Sequence, residues 1–308
     1  MKTYLVTGVA GFIGSALAHK LILDGHKVIG VDNLLTGLFE NIPKEVVFFE
    51  FDITNFTQFE KLNEHTFDAV LHLAAQTSGE ISFEDPDKDL QINVLGTLNV
   101  LRYCKTNGIT RLLYASSATV YGDSDVNPIP VTQSTQPKSY YGITKLAGEH
   151  YARIFSSDID TTILRMFNVY GPGQNMENIK QGMVSIYLHY LAQGEPILVK
   201  GSGDRFRDFI YIDDVVSAWI AAINAERTFG KTYNLSAGTR TTVGELIGLL
   251  TSAWGNPDHS VTYTTGTPGD AMGSRGDIVS TKEDLQWSPE VGMEEGIEKT
   301  VAWIKEEK

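Results

Sequence analysis

The amino-acid sequence predicts an α/β protein, a doubly wound parallel sheet carrying a smaller α/β lobe, and three observations predict it. Short runs that are apolar throughout alternate with amphipathic stretches, the pattern of strands covered on both faces and joined by right-handed helical crossovers. A Gly-x-x-Gly-x-x-Gly turn separates the first strand from the first helix. The chain of 308 residues, 42% of them hydrophobic, can bury a full core and is about twice the usual single-domain length.

In chain order, residues 4–7 form the first strand, and the glycine turn leads into a helix over 12–24 with Ile13, Ala16, Leu17 and Leu21 at apolar positions. Gly25 closes that helix, because glycine readily takes the left-handed conformation that ends one. Residues 28–31 make a second buried strand, and the runs 46–51, 69–73, 112–115 and 161–167 continue the sheet. After Phe167 the character changes. Residues 168–181 are rich in Gly, Pro and Asn, and a second lobe begins there. Residues 209–212 and 233–235 still read as strands, so the expected division is 1–168, with 208–238 returning to it, against a lobe of 169–207 and 239–308. The final helix, 294–305, aligns Ile297, Val301 and Ile304 on one face and packs as a cap.

Composition narrows the function. With 38 acidic against 25 basic side chains the formal charge is −13, and scattered basic residues make no face for a nucleic-acid backbone. A single cysteine, Cys104, excludes an intramolecular disulfide and fits a reducing compartment. No two histidines stand three to five residues apart, so no metal is expected. No cleavable apolar leader and no run of 18 apolar residues occur. A cytoplasmic protein with no membrane partner is expected.

Gly8, Gly11 and Gly14, with Phe12 and Ile13 between them, follow a strand and open a helix. In that context glycine lets the backbone approach a pyrophosphate, whose charge the helix N-terminus stabilises. This is the Rossmann-type arrangement. Asp32 ends the second strand, where a carboxylate accepts from an adenosine ribose and repels a 2′-phosphate, so NAD is expected over NADP. Asp52 and Ile53, ending the third strand, are expected to flank the adenine. A Tyr-x-x-x-Lys spacing is weak alone, since thirteen tyrosines and sixteen lysines predict roughly 0.7 chance occurrences. Only Tyr141 with Lys145 has it. One helical turn apart, the two share a face, and an ammonium beside a phenol favours the phenolate and draws it toward neutrality. Ser117, in the segment 116–122 at the end of the preceding strand, stands where ligands collect in such sheets.

Together these residues resemble the extended short-chain dehydrogenase/reductases, and within them the NAD-dependent nucleotide-sugar epimerases of the UDP-glucose 4-epimerase type. The resemblance spans nearly the whole chain: the glycine signature, Val31-Asp32-Asn33, His72-Leu73-Ala74-Ala75, Asn93 in Asn-Val-Leu-Gly-Thr, the Ser117, Tyr141 and Lys145 set, Arg-Met-Phe-Asn-Val-Tyr-Gly-Pro at 165–172, and Arg207-Asp208-Phe209. It implies that Tyr141 exchanges a proton with the sugar 4-hydroxyl, that Ser117 hydrogen-bonds that oxygen, and that Lys145 holds the nicotinamide ribose. Carbon 4 then gives hydride to NAD, the 4-keto sugar turns over, and hydride returns to its other face. By the same resemblance Asn33, Leu73, Ala74, Ala75, Asn93 and Phe167 join the cofactor set.

The pair after Ser117 is Ala118-Thr119, where the related dehydratases and decarboxylases carry acids. Neither residue transfers protons usefully, so elimination is disfavoured. A reductase or dehydrogenase on the same scaffold is the alternative enzyme, and a non-catalytic NAD-binding protein a more distant one. On the substrate side the resemblance assigns Thr119, Asn168 and Arg207, the last two to the diphosphate. The family's later Arg-x-Gly-Asp element aligns with Thr267-Pro268-Gly269-Asp270, so its arginine is replaced here by Thr267, and Arg275 is the candidate substitute. Ser274, four residues after Asp270, matches the position beside the sugar's carbon 2, where a small residue admits an N-acetyl group. The loop 76–86, with Thr77, Ser78 and Glu80, is expected to face substrate. The helical stretches 94–104 and 141–155 resemble those of the family's four-helix homodimer interface.

Overall fold

The computed structural model describes residues 1–266 and 272–306. The chain runs β1 (Thr3–Thr7), α1 (Phe12–Leu23), β2 (Lys27–Asp32), β3 (Val47–Glu50), β4 (Ala69–His72), α2 (Gly79–Glu84), α3 (Pro86–Leu90), a π-helical stretch Gln91–Gly96, α4 (Thr97–Thr106), β5 (Arg111–Ser117), α5 (Tyr140–Ile154) and β6 (Asp160–Met166). It continues through β7 (Asn168–Tyr170), α6 (Met183–Gln193), β8 (Ile197–Lys200), β9 (Phe206–Arg207), β10 (Phe209–Tyr211), α7 (Ile212–Ile223) and β11 (Thr232–Leu235). The remaining elements are β12 (Thr241–Thr242), α8 (Val243–Trp254), β13 (Val261–Thr264), α9 (Val279–Leu285) and α10 (Met293–Glu306).

Seven strands, every neighbouring pair parallel, form the central sheet in the order β11-β6-β5-β4-β1-β2-β3. Consecutive residues on the inner strands feed opposite cores. Val6, Leu71, Leu113 and Leu164 join Leu17 of α1 and Trp219 of α7 on one face. Leu5, Val70, Leu112 and Ile163 join Val100 of α4 and Ala152 of α5 on the other. That two-sided burial explains why the strands read as unbroken apolar runs. β3 is the exception: as the sheet's edge it leaves Val47 and Glu50 exposed.

The strand order reverses between β1 and β4, where ligands bind at the carboxyl ends of such sheets. Thr7 at the end of β1 hydrogen-bonds His72 at the end of β4 over 2.7 Å and pins the two strand ends together. Of the two late strands expected from the sequence, β11 pairs with β6 in the central sheet, whereas β10 pairs with β7 in a separate two-stranded sheet. β10 is only three residues long and runs straight into α7, which leaves too little chain to reach the main sheet. Helix α10 buries Ile297, Val301 and Ile304 as its periodicity predicts. Among the described residues no helix is long and apolar enough to cross a membrane.

Candidate active site

A cleft of about 360 Å³ opens at the switch point. Gly8, Gly11, Phe12, Ile13 and Gly14 form its floor, Asp32, Asn33, Asp52 and Ile53 one end, and Leu73, Ala74 and Ala75 the wall toward Tyr141 and Lys145. The turn is closely packed. Gly8 adopts φ +75°, and a Cβ there would lie 2.7 Å from the Ala74 nitrogen. A Cβ on Gly14 would stand 2.0 Å from the Gly8 carbonyl oxygen, so only glycine lets α1 start this near β1. Gly14→Ala is therefore expected to destabilise the protein by about 1–3 kcal/mol through overpacking, read as a lower Tm than for Gly248→Ala in α8, whose added Cβ meets nothing within 4 Å on ordinary helical backbone.

Helix α1 begins at Gly11 with no side-chain cap and no acid in its first turn, so its free N–H groups and positive dipole end are available to an anion. At the other end Asp32 accepts from the Ala10 and Leu34 N–H groups at 3.0 and 2.9 Å. Burial raises its pKa and those hydrogen bonds oppose the rise. Asn33 donates to Asp52 over 2.9 Å. Burial would raise the Asp52 carboxyl, but the hydrogen bonds from Thr54 and Asn33 and the charge of Lys88 leave it below the usual range. A glycine cradle at an uncapped helix start with an acidic pair at the far end fits a dinucleotide without a 2′-phosphate.

Ser139 caps α5 by accepting from the Gly142 N–H at 3.1 Å, which starts the helix so that Tyr141 and Lys145 both reach the cleft. The Lys145 ammonium lies 4.6 Å from the centroid of the Tyr114 ring. Burial pulls its pKa down to about 8 against the raising influence of Asp89 and Glu149. Tyr141 is pushed up to about 12, mainly by burial and further by Asp89, and a hydrogen bond with the Ser117 side chain opposes this. The expectation that the ammonium draws Tyr141 toward neutrality is thus not met: burial dominates, and the opposing group is Ser117. Ser117 Oγ accepts from the Thr119 N–H and hydroxyl at 3.2 and 3.0 Å, which leaves its own proton for Tyr141.

A second cavity of about 140 Å³ contains Ser117, Thr119, Phe167, Asn168, Arg207 and Ser274 in its lining. Met166 lines both cavities, so the two adjoin there, with Tyr141 in the lining of the first and Ser117 in that of the second. Burial, with the nearby Arg205 charge, lowers Arg207 to about 10. Asn168 Nδ2 donates to the Asp208 carbonyl. The Asp208 side chain accepts from the Ala237, Gly238 and Gly276 N–H groups at 2.9, 3.1 and 3.0 Å. This ties the strand bearing Arg207 to the loop bearing Ser274.

Two residues of the expected cofactor set lie outside the cleft lining. Phe167 faces the second cavity, at the start of the lobe that follows β6. Asn93 is buried behind the wall, where it bonds the Gln76 N–H and carbonyl and the Thr144 hydroxyl at 2.8, 3.0 and 3.1 Å, so it braces the loop and not the cleft. Arg275 lines neither cavity, and its carbonyl accepts from the Ile129 N–H at 2.8 Å. Thr267 and Asp270 lie outside the described residues. In the loop 76–86, Thr77 lines the first cleft, Ser78 donates to the Lys180 carbonyl at 2.7 Å, and Glu80 pairs with Lys200 at 2.6 Å. The Ser78 contact, with the Lys180–Glu84 ion pair at 2.6 Å, fastens segment 174–181 to this loop, and the segment adds Gln174, Asn175, Asn178 and Gln181 to the cleft lining. Sequence reasoning missed that segment, since a Gly- and Asn-rich loop carries no periodicity, and it missed Asp89.

The chain matches the model of the NAD dependent epimerase/dehydratase family over residues 4–236. It is 34% identical over 313 residues to the UDP-glucose 4-epimerase of Mycolicibacterium smegmatis, with 99% of each chain covered. Among solved structures it is similar to the UDP-glucose 4-epimerase of Thermotoga maritima with UDP-glucose, with a TM-score of 0.95, 35% identity and 99% of each chain covered. It is also similar to the Thermus thermophilus UDP-glucose 4-epimerase in complex with NAD, with a TM-score of 0.92, 34% identity, and coverage of 98% of this chain and 99% of that one.

Proposed function

The chain belongs to the NAD-dependent epimerase/dehydratase family, and from that premise we propose that it inverts carbon 4 of a nucleotide sugar, a UDP-hexose or UDP-N-acetylhexosamine, through a transient 4-keto sugar. The observation that carries this reading is the Ser117–Tyr141 pair at the junction of the two cavities, followed by Ala118-Thr119, which offers no acid or base for elimination.

The glycine turn, Asp32 and Lys145 would hold NAD, which would supply reversible hydride acceptance. The protein's own groups manage the proton and the orientation. Once ionised to the phenolate, Tyr141 Oη takes the 4-hydroxyl proton as that carbon is oxidised and returns it when the ketone is reduced. Ser117 donates to the same oxygen and steadies its charge. Lys145 carries a positive charge in the same cleft lining as Tyr141. Arg207 and Asn168 hold the diphosphate while the sugar turns, so the nucleotide stays anchored between the two half-reactions.

In this reading residues 1–168 with the returning 208–238 bind the cofactor, and 169–207 with 239–308 bind the sugar nucleotide. Leu90, Leu95, Ile143 and Ile154 are exposed on α3, the π-helical stretch and α5, and such an apolar face supports a homodimer formed through these helices. The single buried cysteine is compatible with the cytoplasm.

A panel of nucleotide sugars incubated with the protein and NAD, followed by NMR, tests the reading. New anomeric signals are expected with no net change in reduced-nicotinamide absorbance. Stoichiometric consumption or release of reduced cofactor would instead identify a reductase or dehydrogenase. Arg207→Ala is expected to raise the Michaelis constant about ten- to a hundredfold, the worth of one charge-assisted hydrogen bond, with a smaller change in turnover number. Steady-state kinetics on the best substrate check it.

A further inference from the structure

We propose that Asp89 is the counter-ion that keeps the Lys145 side chain an ammonium, a positioning residue that acts on the reaction through Lys145 and Tyr141 without touching substrate. This rests on the reading of Lys145 and Tyr141 as the reacting pair.

Asp89, on α3, is fully buried. Its carboxylate accepts from Gln76 Nε2 at 2.6 Å, Asn93 Nδ2 at 3.2 Å and Thr144 Oγ1 at 2.6 Å. All three partners are neutral. They satisfy the oxygens without cancelling the charge: burial raises this carboxyl above its usual range, and the hydrogen bonds from Thr144 and Gln76 together with the Lys145 charge oppose the rise. Thr144 immediately precedes Lys145, so the same hydrogen bond that holds Asp89 fixes the register of α5 against α3.

Around Lys145 the packed elements present four other titratable side chains, two on α5 and one each on β5 and β4. On α5, Glu149 is forked on Arg165 at 2.8 and 2.7 Å and also meets Arg153 at 3.0 Å, so its charge is already matched. Tyr141, pushed up to about 12, is neutral near pH 7. On β5 the buried Tyr114 phenol is raised still further and is neutral as well. On β4, His72 sits between the Thr7 and Thr97 hydroxyls at 2.7 and 3.0 Å, and burial, with the Lys145 charge, takes it down to about 3, so it is an uncharged imidazole. Asp89 is the anion that remains. Its influence on the pair is double: it favours the ammonium of Lys145 and disfavours the phenolate of Tyr141. It thus adds to the burial that keeps the tyrosine protonated in the resting site, while preserving the positive charge of Lys145.

The test is an NMR titration of the protein with lysine labelled at 13Cε, in the absence of sugar, with the Lys145 signal identified by its loss in Lys145→Met. The wild-type midpoint is expected near 8, and Asp89→Asn is expected to lower it by about one to three pH units, the usual effect of one nearby opposite charge. Thr144→Val removes a hydrogen bond and keeps the charge, so it should move the midpoint by less than about half a unit. Coupling is reciprocal, so in Lys145→Met the 13Cγ midpoint of Asp89 should rise. An unchanged Lys145 midpoint in Asp89→Asn overturns the proposal, as does an unchanged Asp89 midpoint in Lys145→Met, which decides the matter if the Asn variant does not fold. Because no sugar is present, a failed epimerase assignment leaves this result standing, and a failed counter-ion leaves the assignment standing.

Discussion

Tyr141→Phe is expected to lower the turnover number about a hundred- to ten-thousand-fold, the usual contribution of a positioned acid–base group, while NAD affinity stays within about threefold. The substitution deletes one oxygen and keeps the ring. That oxygen hydrogen-bonds with Ser117, whereas the helix start depends on the Ser139 cap and the cleft floor on the glycine turn, neither of which the phenol supports. The loss should therefore appear in the chemistry and not in the fold. Initial rates with the best nucleotide sugar, together with calorimetric titration of NAD and a thermal melt, separate the two. A variant that keeps more than half of the wild-type turnover would remove Tyr141 from the reaction. The pH dependence adds a sign. Tyr141 must lose its proton and is held high by burial, whereas Lys145 must keep its proton and is held at about 8. Activity follows the product of the Tyr141 phenolate and Lys145 ammonium fractions, so it is expected to rise with pH through neutrality and to level off above about pH 8, where loss of the lysine proton offsets the gain of phenolate.

What the sequence made legible follows from where its physics is local. The strand, glycine turn and helix at the N-terminus can be read because each residue's role depends on its neighbours: apolar Leu5 and Val6 point to opposite cores, and Gly14 must have no Cβ because Gly8 is six residues away. The edge position of β3 was not legible, since Val46 to Phe51 look as apolar as any buried run and only sheet order exposes Val47. Asn93 stands in a recognisable motif, yet whether it touches a ligand or braces a wall depends on Gln76 and Thr144, 17 and 51 residues away. Asp89 is the hardest case. An acid one turn into a short helix beginning with Pro86 reads as a solvated N-terminal residue, favourable to the helix dipole. It is buried because α5, about fifty residues later, packs over it.

Ser274→Tyr is expected to reduce the specificity constant for a UDP-N-acetylhexosamine by about a hundredfold or more, a steric exclusion, while that for the plain UDP-hexose changes little. The wild-type side chain lines the same cavity as Ser117, Asn168 and Arg207, so a bulky group there competes for space with whatever Ser117 and Arg207 hold between them. A flexible turn could swing such a ring aside, but this segment is fixed on both flanks. Gly273 pairs with Phe206 as an isolated bridge, the Gly276 N–H is held by Asp208 at 3.0 Å, and Ile129 exchanges backbone hydrogen bonds with Arg275 and Asp277 at 2.8 and 2.9 Å. A Cβ on Gly273 would fall 2.1 Å from the Phe206 ring, so the backbone cannot roll toward that side to make room. The added ring must then enter the cavity. Parallel kinetics with UDP-glucose and UDP-N-acetylglucosamine on wild type and variant read the outcome directly: selective loss of the N-acetyl substrate makes position 274 the gate, and equal losses on both substrates assign the gate elsewhere.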